Sequence, residues 1–66
     1  MTFTISDLMG AHPKIDVALN KLPTEALLTF EPSTGAIFTS SPEKGNAMLA
    51  AFSLLHPKLY HQHLNS

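Results

Sequence analysis

The segment from Ala26 to Ser40 constrains this chain more than any other. The run reads as two short strands around a four-residue turn, Pro32-Ser33-Thr34-Gly35. Pro32 has its φ preset for the start of a turn, and Gly35 suits the end, where a left-handed residue is wanted. With Pro32 to Gly35 as the loop, Glu31 pairs with Ala36, Phe30 with Ile37, Thr29 with Phe38 and Leu28 with Thr39. Side chains alternate along a strand. One face of the ribbon therefore carries Leu28, Phe30 and Ile37, and the other carries Leu27 and Phe38, diluted by Thr29. A two-stranded ribbon does not stand alone in water. One that is apolar on both faces must be covered twice.

Little else is available to cover it. A chain of 66 residues buries only about 60% of the surface that its unfolded form exposes. Such domains usually need a staple, and the absence of cysteine removes disulfides and thiolate zinc sites. A tight core or association with another chain remains. Neither strand carries a guarding Lys or Pro, so both edges of the ribbon invite strand addition.

Helices are expected on either side of the hairpin. Thr4 and Asp7 have capping-box spacing, with Ser6 as an alternative cap. Gly10 and Pro13 then interrupt. Two readings fit: a short helix, a break and a second helix opening on Pro13, or one kinked helix with Leu8, His12, Ile15, Leu19 and Leu22 along a stripe. Ile15, Ala18, Leu19 and Leu22 form one helical face, and Pro23 stops it. Ser41-Pro42-Glu43 is a strong start for a third helix. Its body places Met48, Ala51, Phe52 and Leu55 on one stripe and Leu49 and Leu54 off it. Pro57 ends or kinks that helix, and Lys58 to Leu64 add a short turn. The tripeptide His-Pro-Lys occurs twice, at 12–14 and 56–58. Three residues are too few to define a repeat.

Composition narrows the function classes. The formal charge is −1, with four scattered lysines and no arginine, which counts against nucleic-acid binding. Only 14% of residues are charged and 44% are hydrophobic, too apolar for a disordered tail. No apolar run approaches a membrane span. The N-terminus lacks a basic region followed by an apolar run, so no signal peptide is expected and the chain reads as a complete cytoplasmic product.

Reactive constellations are sparse. His56, His61 and His63 crowd the C-terminus without cysteine or acidic neighbours, and a zinc site wants three or four converging ligands. Asp7, Asp16, His12 and Ser6 are close in sequence, but a nucleophile and base need a rigid pocket. Caps and solvated faces account for them. No phosphate-binding glycine loop is present. No catalytic, cofactor or metal residue is assigned.

The expectation is a single α+β domain over residues 1–66, in the order helix, helix, hairpin, helix, with 62–66 a frayed tail. The two-stranded antiparallel hairpin packs on helices, and edge pairing in a homodimer extends it to a four-stranded sheet. The expected function is that of a small non-enzymatic interaction protein (a regulator, adaptor or inhibitor) contacting a protein partner through Leu27, Phe38, Leu49 and Tyr60. The alternatives are a nucleic-acid or transcriptional module and a histidine-based metal or pH sensor.

Overall fold

A computed structural model describes residues 1–40 and 45–65. The elements are β1 (Thr2–Thr4), α1 (Ile5–Leu8), α2 (Pro13–Asn20), β2 (Leu27–Glu31), β3 (Ala36–Thr39), α3 (Gly45–Leu55) and α4 (Pro57–Leu64). They form an α+β arrangement with a three-stranded antiparallel sheet ordered β1-β2-β3.

The hairpin register is the one that the turn chemistry predicts: Leu28 opposite Thr39, Thr29 opposite Phe38, Phe30 opposite Ile37 and Glu31 opposite Ala36. Gly35 takes φ 75°, a region that costs glycine nothing. Glu31 holds the loop from both ends of the residue. Its carbonyl accepts from the Gly35 N–H at 2.8 Å, and its carboxylate accepts from the Ser33 hydroxyl at 2.9 Å and the Ser33 N–H at 3.3 Å.

The ribbon has a third strand, which corrects the two-stranded expectation. Thr2 lies opposite Thr29, Phe3 opposite Leu28 and Thr4 opposite Leu27. Met1 and Phe30 exchange backbone bonds in both directions at 2.7 Å. Antiparallel ladders alternate bonded and non-bonded pairs, so Leu28 and Phe30 bond toward β1. Ser40 N–H donates to Leu27 O at 3.0 Å, so Leu27, Thr29 and Glu31 bond toward β3. Strand β2 is thus central, and one of the two edges expected to be open is occupied.

Local chemistry sets the helix boundaries. Thr4 caps α1 with a complete capping box: its hydroxyl accepts from Asp7 N–H at 3.3 Å, and its own N–H donates to Asp7 Oδ2 at 2.9 Å. Gly10 then turns the chain at φ 90°, its N–H donating to Asp16 Oδ1 at 3.0 Å. The broken-helix reading therefore holds over the kinked one. His12 caps α2 by accepting the Lys14 N–H on Nδ1 at 3.1 Å, ahead of Pro13. His56 and Pro57 occupy the equivalent positions before α4. Both His-Pro-Lys tripeptides therefore open helices. The predicted start of the third helix at Ser41-Pro42-Glu43 lies outside the described residues.

The described helices pack against the Leu28 and Phe30 side of the sheet. The core between the layers is Leu8, Leu19, Leu22, Ala26, Leu28, Phe30, Met48, Ala51 and Phe52. Phe52 is its centre, with ring centroids 5.3 Å from Phe3 and 5.8 Å from Phe30. Leu55, expected on the buried stripe of α3, is exposed. Gln62, His63 and Leu64, in the segment expected to fray, belong to α4. Gln62 Nε2 donates to Pro32 O, and His63 Nδ1 donates to Gly35 O at 2.9 Å, which ties the helix end to the hairpin turn.

Candidate functional site

Strand alternation decides which apolar residues the fold can use. Leu28, Phe30, Ile37 and Phe3 point toward the helices. Thr2, Thr4, Leu27, Thr29, Glu31, Ala36 and Phe38 point away from them. No described element covers that second face. Phe30 has no exposed surface, whereas Phe38 keeps 63% of its surface in solvent. The two rings sit on neighbouring strands and opposite sides of one sheet.

Leu27 is 38% exposed on the same face. It is a diagonal neighbour of Phe38 across the β2–β3 ladder, about 7–8 Å away in such a geometry. Around the pair lies a polar field of threonine hydroxyls, including Thr2 and Thr29, whose Oγ1 atoms are 3.5 Å apart. Among the described strand residues, Glu31 is the one charged side chain on this face, at its turn end. Hydrogen bonds from the Ser33 hydroxyl and the Ser33 N–H hold its carboxyl below the usual carboxylate range. The face is a nearly uncharged, amphiphilic plane with one projecting aromatic ring.

The four sequence-predicted contact residues are not brought together. Leu27 and Phe38 share the open face. Leu49 and Tyr60 belong to the helical layer, where both are partly buried against the core. The Tyr60 ring lies 5.9 Å from that of His63. Other exposed apolar side chains, Val17, Leu54, Leu55 and Leu64, project from the helices, where scattered aliphatics are ordinary.

Sequence reasoning missed Phe3 and the two threonines beside it. Phe3 joins the sheet to α3 and stacks on His56 with centroids 4.9 Å apart. The alternation Thr2-Phe3-Thr4 was the available signal, and three residues are too few for a periodicity argument.

The polar residues that suggested chemistry serve as local structure. Asp7 is taken up by the Thr4 cap, Asp16 by Gly10 N–H and His12 by Lys14 N–H. The bonds from the Thr4 N–H and hydroxyl lower the Asp7 pKa. His61 Nε2 lies 2.9 Å from Asn65 Nδ2. Among the described residues no group of three or more His, Cys, Asp or Glu is placed to hold a metal ion. A shallow depression of about 350 Å³ lies between α2 and α3, bordered by Lys14, Val17, Lys21 and Asn46. A second, of about 200 Å³, is bordered by Thr4, Ser6 and Asn20. Neither is bordered by Asp7, Asp16 or a histidine. No helix among the described residues is long and apolar enough to cross a membrane.

No family model, curated protein or solved structure matches this chain.

Proposed function

We propose that this protein is a non-enzymatic interaction domain that binds a protein partner through the helix-free face of its sheet. The observation that carries this reading is Phe38, an aromatic side chain 63% exposed on a flat strand surface with Leu27 beside it. Exposed aromatics supply contact area at low entropic cost and dominate interface energetics. The near absence of charge on the face favours a protein surface as its complement over a phosphate backbone, which would call for clustered cations. Thr2, Thr4 and Thr29 add hydroxyls that hydrogen-bond without the desolvation cost of ions. A cytoplasmic regulator, adaptor or inhibitor, including one that acts as a homodimer, fits this chemistry.

Capture from the native host tests the proposal. The wild-type chain is expected to retain a defined partner in stoichiometric amount, and Phe38→Lys to lose it while keeping the wild-type circular dichroism spectrum. Equal capture by both chains would remove the open face as the binding surface.

A further inference from the structure

We infer that the groove between α2 and α3 is a docking surface separate from the open sheet face, and that its occupant is an acidic amphipathic helix of a partner protein, held between Lys14 and Lys21.

The groove has a volume of about 350 Å³ and is bordered by Lys14, Val17, Ala18 and Lys21 on the α2 side and by Asn46 and Ala47 on the α3 side. The first four stand at i, i+3, i+4 and i+7, which is one stripe of a helix. Lys21 continues the stripe past Asn20 because its backbone stays helical, and its N–H donates to Ala18 O at 3.2 Å. The core-facing stripe of α2, with Ile15 and Leu19, lies beside this one. Ala18 and Ala47 put a small side chain on each helix, which leaves the space between the helices open. Val17, 58% exposed, stands between the two lysines.

The border is asymmetric in charge. It holds two exposed lysines and no carboxylate. The acidic residue of α2, Asp16, accepts the Gly10 N–H on Oδ1 at 3.0 Å and is not part of the border. Seven helical positions at 1.5 Å each set the two lysines about 10 Å apart along the axis, with apolar surface between them.

That spacing selects the occupant. A phosphate or a single lipid headgroup meets one ammonium and leaves the other, two turns away, without a partner. A nucleic-acid backbone calls for more than two cations. A helix with carboxylates seven positions apart repeats the spacing of about 10 Å, and aliphatic residues three and four positions after the first acid then face Val17 and the two alanines. This is helix-in-groove recognition through i, i+3, i+4 and i+7 anchors. Lysine ammoniums on flexible stems meet carboxylates without a fixed geometry. Exposed ion pairs contribute little singly, so the complex is weak and salt-dependent.

A designed peptide of about 16 residues, long enough to hold a helix in water, tests the groove. It carries Glu at two positions seven apart, Leu three and four positions after the first Glu, and otherwise Ala and Gln. Titrated into isotope-labelled protein at low salt, it is expected to shift the Val17, Ala18 and Ala47 amides with a Kd between about 10 μM and about 1 mM. Raising salt from about 50 to about 300 mM should weaken binding several-fold. Lys14→Glu combined with Lys21→Glu should weaken it at least tenfold, and that variant should prefer a peptide with Lys in place of both Glu. If the double variant fails to fold, Lys14→Gln and the salt dependence decide. Phe38→Lys should bind the peptide as wild type does, so the groove and the open sheet face stand or fall separately. Absence of shifts at about 1 mM peptide, or equal binding of a peptide with Gln at both Glu positions, would overturn the acidic helix. Saturation of the same amides by dodecanoate or inorganic phosphate at lower concentration than the peptide would overturn it in favour of a small anion.

Discussion

Two phenylalanines, eight positions apart, illustrate how burial separates stability from function at the scale of single residues. Phe30 and Phe52 are fully enclosed, and Phe38 is not. Phe52→Ala should cost about 3–5 kcal/mol, from about a third to the whole of the stability of a domain this size at about 0.05–0.15 kcal/mol per residue. Urea denaturation of that variant is expected to show a much lower midpoint than wild type at 25 °C. Phe38→Ala should change the unfolding free energy by no more than about 0.5 kcal/mol. A large loss at Phe38 in a dilute monomer would mean that the ring is covered within the chain. The Thr4 cap is a second residue-level test. Thr4→Ala should cost about 1 kcal/mol, read from the same titration. Asp7 and Glu31 have folded-state pKa values below their unfolded ones. Their contribution is therefore present above the unfolded carboxylate range and is lost as pH falls through the lower folded values. The urea midpoint should hold from neutrality to about pH 5 and decline below about pH 4, with Asp7→Asn flattening part of that decline.

Among the elements, β1 contributes most for its length. It pairs with the central strand, supplies the cap of α1 and places Phe3 on Phe52. Removing residues 1–3 should expose the Leu28 and Phe30 amides to exchange while Leu27 and Thr29, bonded toward β3, stay slower; uniform exchange across β2 would show that the sheet opens as a unit. Strand β1 was not visible in the sequence because its alternation spans a single apolar residue. The hairpin was visible because Pro32 and Gly35 fix loop length, and loop length fixes register. The two His-Pro-Lys tripeptides illustrate the same locality. Each opens a helix, since proline is preorganised for the first position, yet the histidines act differently. His12 accepts a backbone N–H, whereas His56 lies against Phe3 and Phe52. Spacing within the tripeptide carries no information about those distant rings.

For the whole molecule, the described helices pack on one side of three strands, and no described element covers the opposite face, where Phe38 keeps 63% of its surface in solvent. The candidate face was partly legible in advance. Leu27 and Phe38 were assigned to one side of the ribbon by alternation alone. Leu49, off the α3 stripe, and Tyr60, an aromatic, are also expected contact residues and lie in the helical layer; helix stripes alone do not show how much of a helix its neighbours cover.

Local physics was sufficient for the capping box at Thr4, the break at Gly10, the helix start at Pro13 and the register from Leu28 to Thr39. Each depends on residues within a few positions of one another, where backbone sterics and short-range hydrogen bonds dominate. Tertiary packing alone decided that Met1 and Phe3 bond to β2, that α4 is tied to the hairpin turn through Gln62 and His63, and that the helices cover the Phe30 side and leave Phe38 open. Those outcomes join residues about thirty positions apart. They are selected by which apolar surfaces fit together, and no local periodicity encodes that choice.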